Sequence, residues 1–379
     1  MIPHAMQMSA AIFSILWLFV NFTQAQPAPT QEEIKLFNES FTTYQKYLKQ
    51  GDYENALPHI KLAYELGQKM FTTNDKNLAA LTYNYGFTLG NTNEIDLAAD
   101  VLRVALSRYE TVFGKAAVEL VQPLMEQAHV DAKLQIASRG KRQRRTAMYK
   151  IYFNRALKIA EQTSDDPLLY ARLSREAGIS IFETFESDDA RPYLKEAHEI
   201  YLERLGSKDA MTALTSYWLA RVENSNKDYK TAETYLLSAL DSFAAPEIPA
   251  NDFEIATHVL LVEVYEKQGE RDKATTHCQA IGRIKQWQAG PMQTPVYQTI
   301  PVYPREARSA NIGGTIVLGF SVSEAGIVQD PKITTSSGNQ FLDDAAIASV
   351  MEWRYAPKFE NDVPVAADSS TELIFNAKK

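Results

Sequence analysis

The chain has 379 residues, 45% of them hydrophobic, enough for more than one buried core. Its formal charge of −8 offers no general attraction to nucleic acid or anionic lipid, both of which need clustered positive charge. One cysteine, Cys278, excludes an intrachain disulfide; beside Ala274 and Ile281 at helical spacing it reads as a small buried hydrophobe.

Residues 1–25 read as a signal peptide: an apolar run over 10–20 closes on Thr23-Gln24-Ala25, a small-residue cleavage pattern. No Lys or Arg precedes that run, so an uncleaved inner-membrane anchor stands as the alternative, although a spanning helix needs about twenty apolar residues. The expected location is the periplasm, or the inner membrane facing it if the segment is retained.

Residues 30–289 predict helices throughout, and they repeat. Ala56 and Ala63, Ala98 and Ala105, Ala190 and Ala197, and Ala232 and Ala239 each stand seven apart, and Ala274 with Ile281 continues the series. The steps Ala63 to Ala105, Ala197 to Ala239 and Ala239 to Ile281 are each 42 residues. Tyr149 and Ala156 hold these positions in an irregular third copy. Small residues there let antiparallel helices approach closely, and Gly51-Asp52-Tyr53, Asp228-Tyr229 and Gly269-Glu270-Arg271 mark the turns. The pattern is similar to tetratricopeptide repeats, with a longer period than their usual one of about 34 residues. That resemblance implies an α-solenoid whose units stack on one another and leave a groove for an extended or helical peptide. The third unit carries Arg139, Lys141, Arg142, Arg144 and Arg145, read as a solvated loop and helix start; no aromatic residues interleave to stack on bases.

Residues 290–301, with Pro291, Pro295 and Pro301, read as a linker to a second domain at 302–379. There Pro304 suits a first helical turn, and Arg305-Glu306-Ala307-Arg308 continue it. Ile316, Leu318, Phe320 and Val322 then alternate along a strand, Glu324-Ala325-Gly326 supplies a turn, and 327–335 returns as a strand that Pro331 confines to an edge or bulge. Leu342, Ala346, Val350 and Trp353 recur at helical spacing, and a final strand covers 371–377. The expected product is a small α+β domain with a three-stranded antiparallel sheet and two helices.

This order, with Tyr303-Pro304, Gly314, Gly326, Ser336-Ser337-Gly338, Leu342-Asp343 and Trp353-Arg354-Tyr355, resembles the C-terminal domain of the TonB family over residues 295–377. That family forms the periplasmic end of bacterial energy transducers. The resemblance implies receptor- or peptide-binding positions at Tyr303, Pro304, Thr371, Leu373 and Phe375, and structural positions at Gly314, Gly326, Leu342, Trp353 and Tyr355. For Thr371, Leu373 and Phe375 the plainer role, one apolar face of a sheet, stands beside the binding one.

No catalytic arrangement emerges. His4, His59, His129, His198, His258 and His277 are scattered without the i, i+4 spacing of a helical zinc site, and no phosphate-cradling glycine loop is present. The expectation is a non-enzyme without cofactor or metal, binding protein or peptide partners of the envelope, among them an outer-membrane receptor, and no nucleic acid. Membrane association is expected only with the N-terminal segment uncleaved. The members that transduce energy carry a long proline-rich span, which the repeats replace here; energy-coupled transmembrane transport is therefore the alternative to simple strand-mediated binding. A scaffold that homodimerises through the C-terminal domain is a further one.

Overall fold

The computed structural model describes residues 29–138, 148–243, 252–285, 287 and 292–377. The expected signal peptide and the basic run 139–145 lie outside them. By contacts the chain divides into two compact units, Met1–Arg204 and Leu205–Lys379.

The first unit is helical: α1 (Gln31–Lys49), α2 (Tyr53–Met70), α3 (Lys76–Gly90), α4 (Ile95–Phe113), α5 (Val121–Ala137), α6 (Tyr149–Thr163), α7 (Pro167–Glu183) and α8 (Ser187–Leu205). Local chemistry sets the starts. Thr30 and Glu33 form a reciprocal capping box on α1, and Asp52, Asp75 and Asp166 accept backbone N–H groups at the starts of α2, α3 and α7. Helices pack on their neighbours in sequence, α1 on α2, α3 on α4 and α5 on α6.

The repeat has a sharper form than the paired alanines alone. Each even-numbered helix presents three fully buried side chains at i, i+4 and i+7: Ala56, Ile60, Ala63; Ala98, Leu102, Ala105; Tyr149, Phe153, Ala156; Ala190, Leu194, Ala197. The small outer residues bring the helices close, and the large middle one fills the gap between them. A glycine on the preceding helix receives it: a Cβ on Gly86 would lie 2.7 Å from Leu102 Cγ, and one on Gly178 would lie 2.7 Å from Leu194 Cγ. Gly86 and Gly178 therefore mark equivalent places in two copies.

The second unit opens with α9 (Ala210–Ser225), α10 (Tyr229–Phe243), α11 (Asp252–Gln268) and α12 (Arg271–Ile284), which continue the triad as Ala232, Leu236, Ala239 and then Ala274, Cys278, Ile281. The C-terminal module follows: α13 (Arg305–Ser309), β1 (Gly314–Val322), β2 (Val328–Thr335), α14 (Gln340–Val350), β3 (Lys358–Glu360), β4 (Val363–Val365) and β5 (Ala367–Phe375). The antiparallel sheet has the order β2-β1-β5. Ile316, Leu318, Phe320 and Val322 all face inward, where Leu342, Ala346 and Val350 of α14 close over them.

Four details differ from the sequence expectation. Pro304 is the N-cap of α13, with extended backbone, and precedes the first turn. Trp353 lies beyond α14, because the turn at Met351 and Glu352 carries it back onto the core. The last strand begins at Ala367, four residues before Thr371. A second, two-stranded sheet joins β3 to β4 through Asn361 and Asp362, whose φ values of 50° and 62° suit a two-residue hairpin turn. Among the described residues no helix is long and apolar enough to cross a membrane.

Candidate functional site

An open sheet offers two edges, and the module treats them differently. β2 carries Pro331, which has no N–H to give, Asp330 at φ 49°, and two register shifts against β1. These features blunt that edge. β5 pairs with β1 through nine consecutive residues without a shift, from Gly314 opposite Phe375 to Val322 opposite Ala367. Beyond a single bridge from Met292 to Ser370, its outer side is thus a regular row of backbone donors and acceptors, the geometry to which an extended segment can add.

The residues named from the sequence gather around this edge. Phe375 is buried in the module core and Leu373 packs half-buried against it, while Thr371 precedes them on the same side of the strand. Tyr303 meets the Phe375 ring edge-on at 5.5 Å and donates its hydroxyl to the Ile312 carbonyl; Pro304 starts the adjoining helix. Leu342, Trp353 and Tyr355 lie in the core. Gly314 sits where a Cβ would come 2.8 Å from Ser337 Cβ. Gly326 adopts φ +73°, and a Cβ there would fall 2.1 Å from the Tyr355 carbonyl oxygen. The serine loop is fixed by Asp343, which accepts from Ser336 Oγ at 2.5 Å, Ser337 Oγ at 2.7 Å and Ser337 N at 3.0 Å. Burial pushes its carboxyl up, but these hydrogen bonds outweigh burial and hold it below the usual carboxylate range.

Two exposed residues beside this edge were not singled out from the sequence. Ile300 and Val302 are 90% and 80% exposed, and Ile374, on the strand expected as the edge, is 59% exposed. Thr299 fixes the first two: its carbonyl accepts from Trp353 Nε1 at 3.1 Å and from Ser349 Oγ at 2.9 Å, and Tyr303 anchors the other end on Phe375. Apolar side chains alternating with anchored neighbours were the available signal, masked by the surrounding prolines.

The segment read as a linker is tied down from Met292 onward. Val296 N donates to the Arg354 carbonyl at 2.7 Å, and Arg354 N donates to the Tyr297 carbonyl at 2.9 Å. The Arg354 side chain reaches the last helix pair, where its Nε lies 2.6 Å from Glu266 Oε1 with both side chains buried. Arg271 pairs with Glu352 at 2.8 Å, and Gln279 Nε2 donates to the Glu324 carbonyl. Gly282 has no room for a side chain, since a Cβ would meet the Pro357 carbonyl oxygen at 2.5 Å. The central triad position, Ile, Leu or Phe in the other copies, is Cys278 in the last, and a Cβ on Gly326 would approach Cys278 Cβ to 3.2 Å. The smaller residue makes room for the module's hairpin turn. Burial pushes the Cys278 thiol up to about 12, so it is a packing group and not a nucleophile.

His258 and His277, distant in sequence, meet with Nδ1 atoms 2.8 Å apart, and Tyr265 stacks on His277. Burial, then the neighbouring His258, pushes His277 down to about 4; burial lowers His258 as well. Among the described residues no group of three or more His, Cys, Asp or Glu is placed to hold a metal ion.

The architecture is therefore a helical repeat array carrying a TonB C-terminal-like domain. Residues 299–377 match the family model described as Gram-negative bacterial TonB protein C-terminal. Protein TonB of Vibrio cholerae serotype O1 is 33% identical over 69 residues, which cover 18% of this chain and 28% of that protein, so the chain spans less than a third of the curated relative it matches. Similar solved structures include the apo form of RapI, with 18% identity, a TM-score of 0.47, and 67% of this chain and 76% of that one covered. They also include the putative kinesin light chain TPR-like repeats of Podosopora anserina, with 13% identity, a TM-score of 0.48, and coverage of 57% and 99%.

Proposed function

We propose that this is a non-enzymatic, exported protein of the bacterial envelope that binds one partner through its helical repeats, expected over 30–289. It captures a strand of another partner on the outer edge of β5, with Tyr303, Pro304, Thr371, Leu373 and Phe375 as the surroundings of that strand. The observation that carries the reading is the contrast between the blunted β2 edge and the nine-residue unbroken register of β5. An added strand gains main-chain hydrogen bonds, and alternate side chains supply selectivity.

Proline substitution tests it. On an edge strand alternate N–H groups face the open side, so of Ile374→Pro and Thr371→Pro one removes an outward donor while sparing the pairing with β1. The variant that keeps the wild-type melting temperature should bind a synthetic peptide from the periplasm-facing end of an outer-membrane receptor roughly tenfold or more weakly, about one to two hydrogen bonds' worth. Unchanged affinity in that variant would exclude strand addition.

The match to Protein TonB favours a second reading, an energy-coupling transducer with its N-terminal segment retained in the inner membrane. Sequencing the N-terminus of native protein from the membrane fraction decides it; a mature chain starting at Gln26 in the soluble periplasm excludes it.

A further inference from the structure

The outer edge of β5 is not uniform along its length. Near its beginning the chain itself lies against it: Met292 forms a parallel bridge with Ser370, and Gln293 N donates to Ser369 Oγ at 3.4 Å. The short segment then leaves. Pro295 cannot donate to a neighbouring strand, and Val296 and Tyr297 give their N–H groups to the Arg354 carbonyl instead. Among the described residues nothing pairs with the outer edge of 371–375. At that end the anchored stretch 299–303 presents Ile300 and Val302 to solvent, and Ile374 is exposed on the strand.

We infer that residues 292–294 are a built-in competitor strand, which holds the start of the β5 edge and limits the partner to a short, extended, apolar-alternating segment laid along 371–375 beside Ile300 and Val302. The inference rests on the strand-addition reading and adds its footprint. A partner strand that pairs along all of β5 must displace Met292 and Gln293, so its apparent affinity is reduced by the fraction of molecules in which that contact is open. A strand confined to the last five residues does not meet the competitor.

Two full-length variants set the competitor open or closed. Gln293→Pro removes the segment's donor and Met292→Gly adds backbone freedom that loosens its bridge; Met292→Cys with Ser370→Cys closes it through a disulfide that reductant reopens, the native Cys278 being buried. The probes are capped synthetic alternating Val–Thr peptides of five and nine residues. The open variant should bind the nine-residue peptide about tenfold more tightly than wild type does, with the five-residue peptide unchanged. The closed variant should hold the two peptides at equal affinity until reduced. If both peptides bind every form with the same ratio, the competitor role is overturned while strand addition survives. Amide hydrogen exchange reads the contact without any peptide: exchange at residues 369–371 should quicken in the open variant while that at 373–375 stays constant. Uniform exchange overturns the inference by itself, and failure of both peptides to bind any form overturns the strand-addition reading beneath it.

Discussion

Replacing Arg354 with alanine should lower the stability of the C-terminal unit by about 3–5 kcal/mol, because it strands a buried carboxylate. Glu266 is as buried as its partner, and among the described residues the other cation paired with it is Arg271, whose Nε lies 3.8 Å away on a largely exposed side chain. Breaking one half of such a pair costs far more than the pair contributes, since the remaining charge keeps its desolvation penalty and loses its compensation. Replacing both with apolar residues, Glu266→Leu with Arg354→Met, should therefore recover most of the loss. Arg271→Ala, which removes an exposed pair with Glu352 and a long contact to Glu266 while leaving Arg354 on that carboxylate, should cost less than about 1 kcal/mol. Urea unfolding followed by tryptophan fluorescence measures all three, because Trp218, Trp287 and Trp353 lie in this unit and no tryptophan lies within 29–204. An Arg354→Ala chain as stable as wild type would mean that the module is not fastened to α11 through this pair.

That ion pair also marks where sequence reading stops. Glu266 and Arg354 stand 88 positions apart, and nothing local in either neighbourhood announces the other. Periodicity reports which face of an element is apolar, so the buried triads and the inward side of β1 were legible: each residue's burial follows from its own spacing. Pro331 on an edge strand was legible for the same reason, a backbone constraint carried by one residue. The start of β5 was not, because Asp368, Ser369 and Ser370 have little strand preference and become a strand only through their pairing with β1. The β3–β4 hairpin had its turn pair in plain view at Asn361-Asp362, but three-residue strands are too short to show alternation. Trp353 kept its helical spacing past the end of α14, which made the helix look longer than it is. The β5 edge itself was legible as a strand, whereas its partial occupation by Met292 depends on where an irregular proline-flanked segment folds back, and such segments carry no period.

The first unit should respond to pH through two groups that oppose each other on one helix of the array, and removing either should expose the other. Burial pushes Glu126 up to about 7, with Lys133 pulling it down and Glu176 adding to the rise. His129, one turn along α5, is pushed down to about 4 by burial and then by Lys133. Glu126 has a folded value above its unfolded one, so its contribution is present below about pH 4.5 and is lost as pH rises through 7. His129 has a folded value below its unfolded one, so its contribution is present above about pH 6.5 and is lost as pH falls through 4. Each swing is on the order of 3 kcal/mol, and between pH 4.5 and 6.5 they run in opposite directions. Wild type should therefore show a shallow profile across that window. Glu126→Gln leaves only the histidine, and its stability should fall by about 2–3 kcal/mol between pH 7 and pH 4.5. His129→Phe, which keeps an aromatic ring against Phe153, leaves only the carboxyl and should gain a similar amount over the same range. Urea dependence of hydrogen exchange in peptides from 121–137 reads this unit alone. Parallel profiles for the two variants would show that these side chains are solvated in the folded state and that α5 does not close over them.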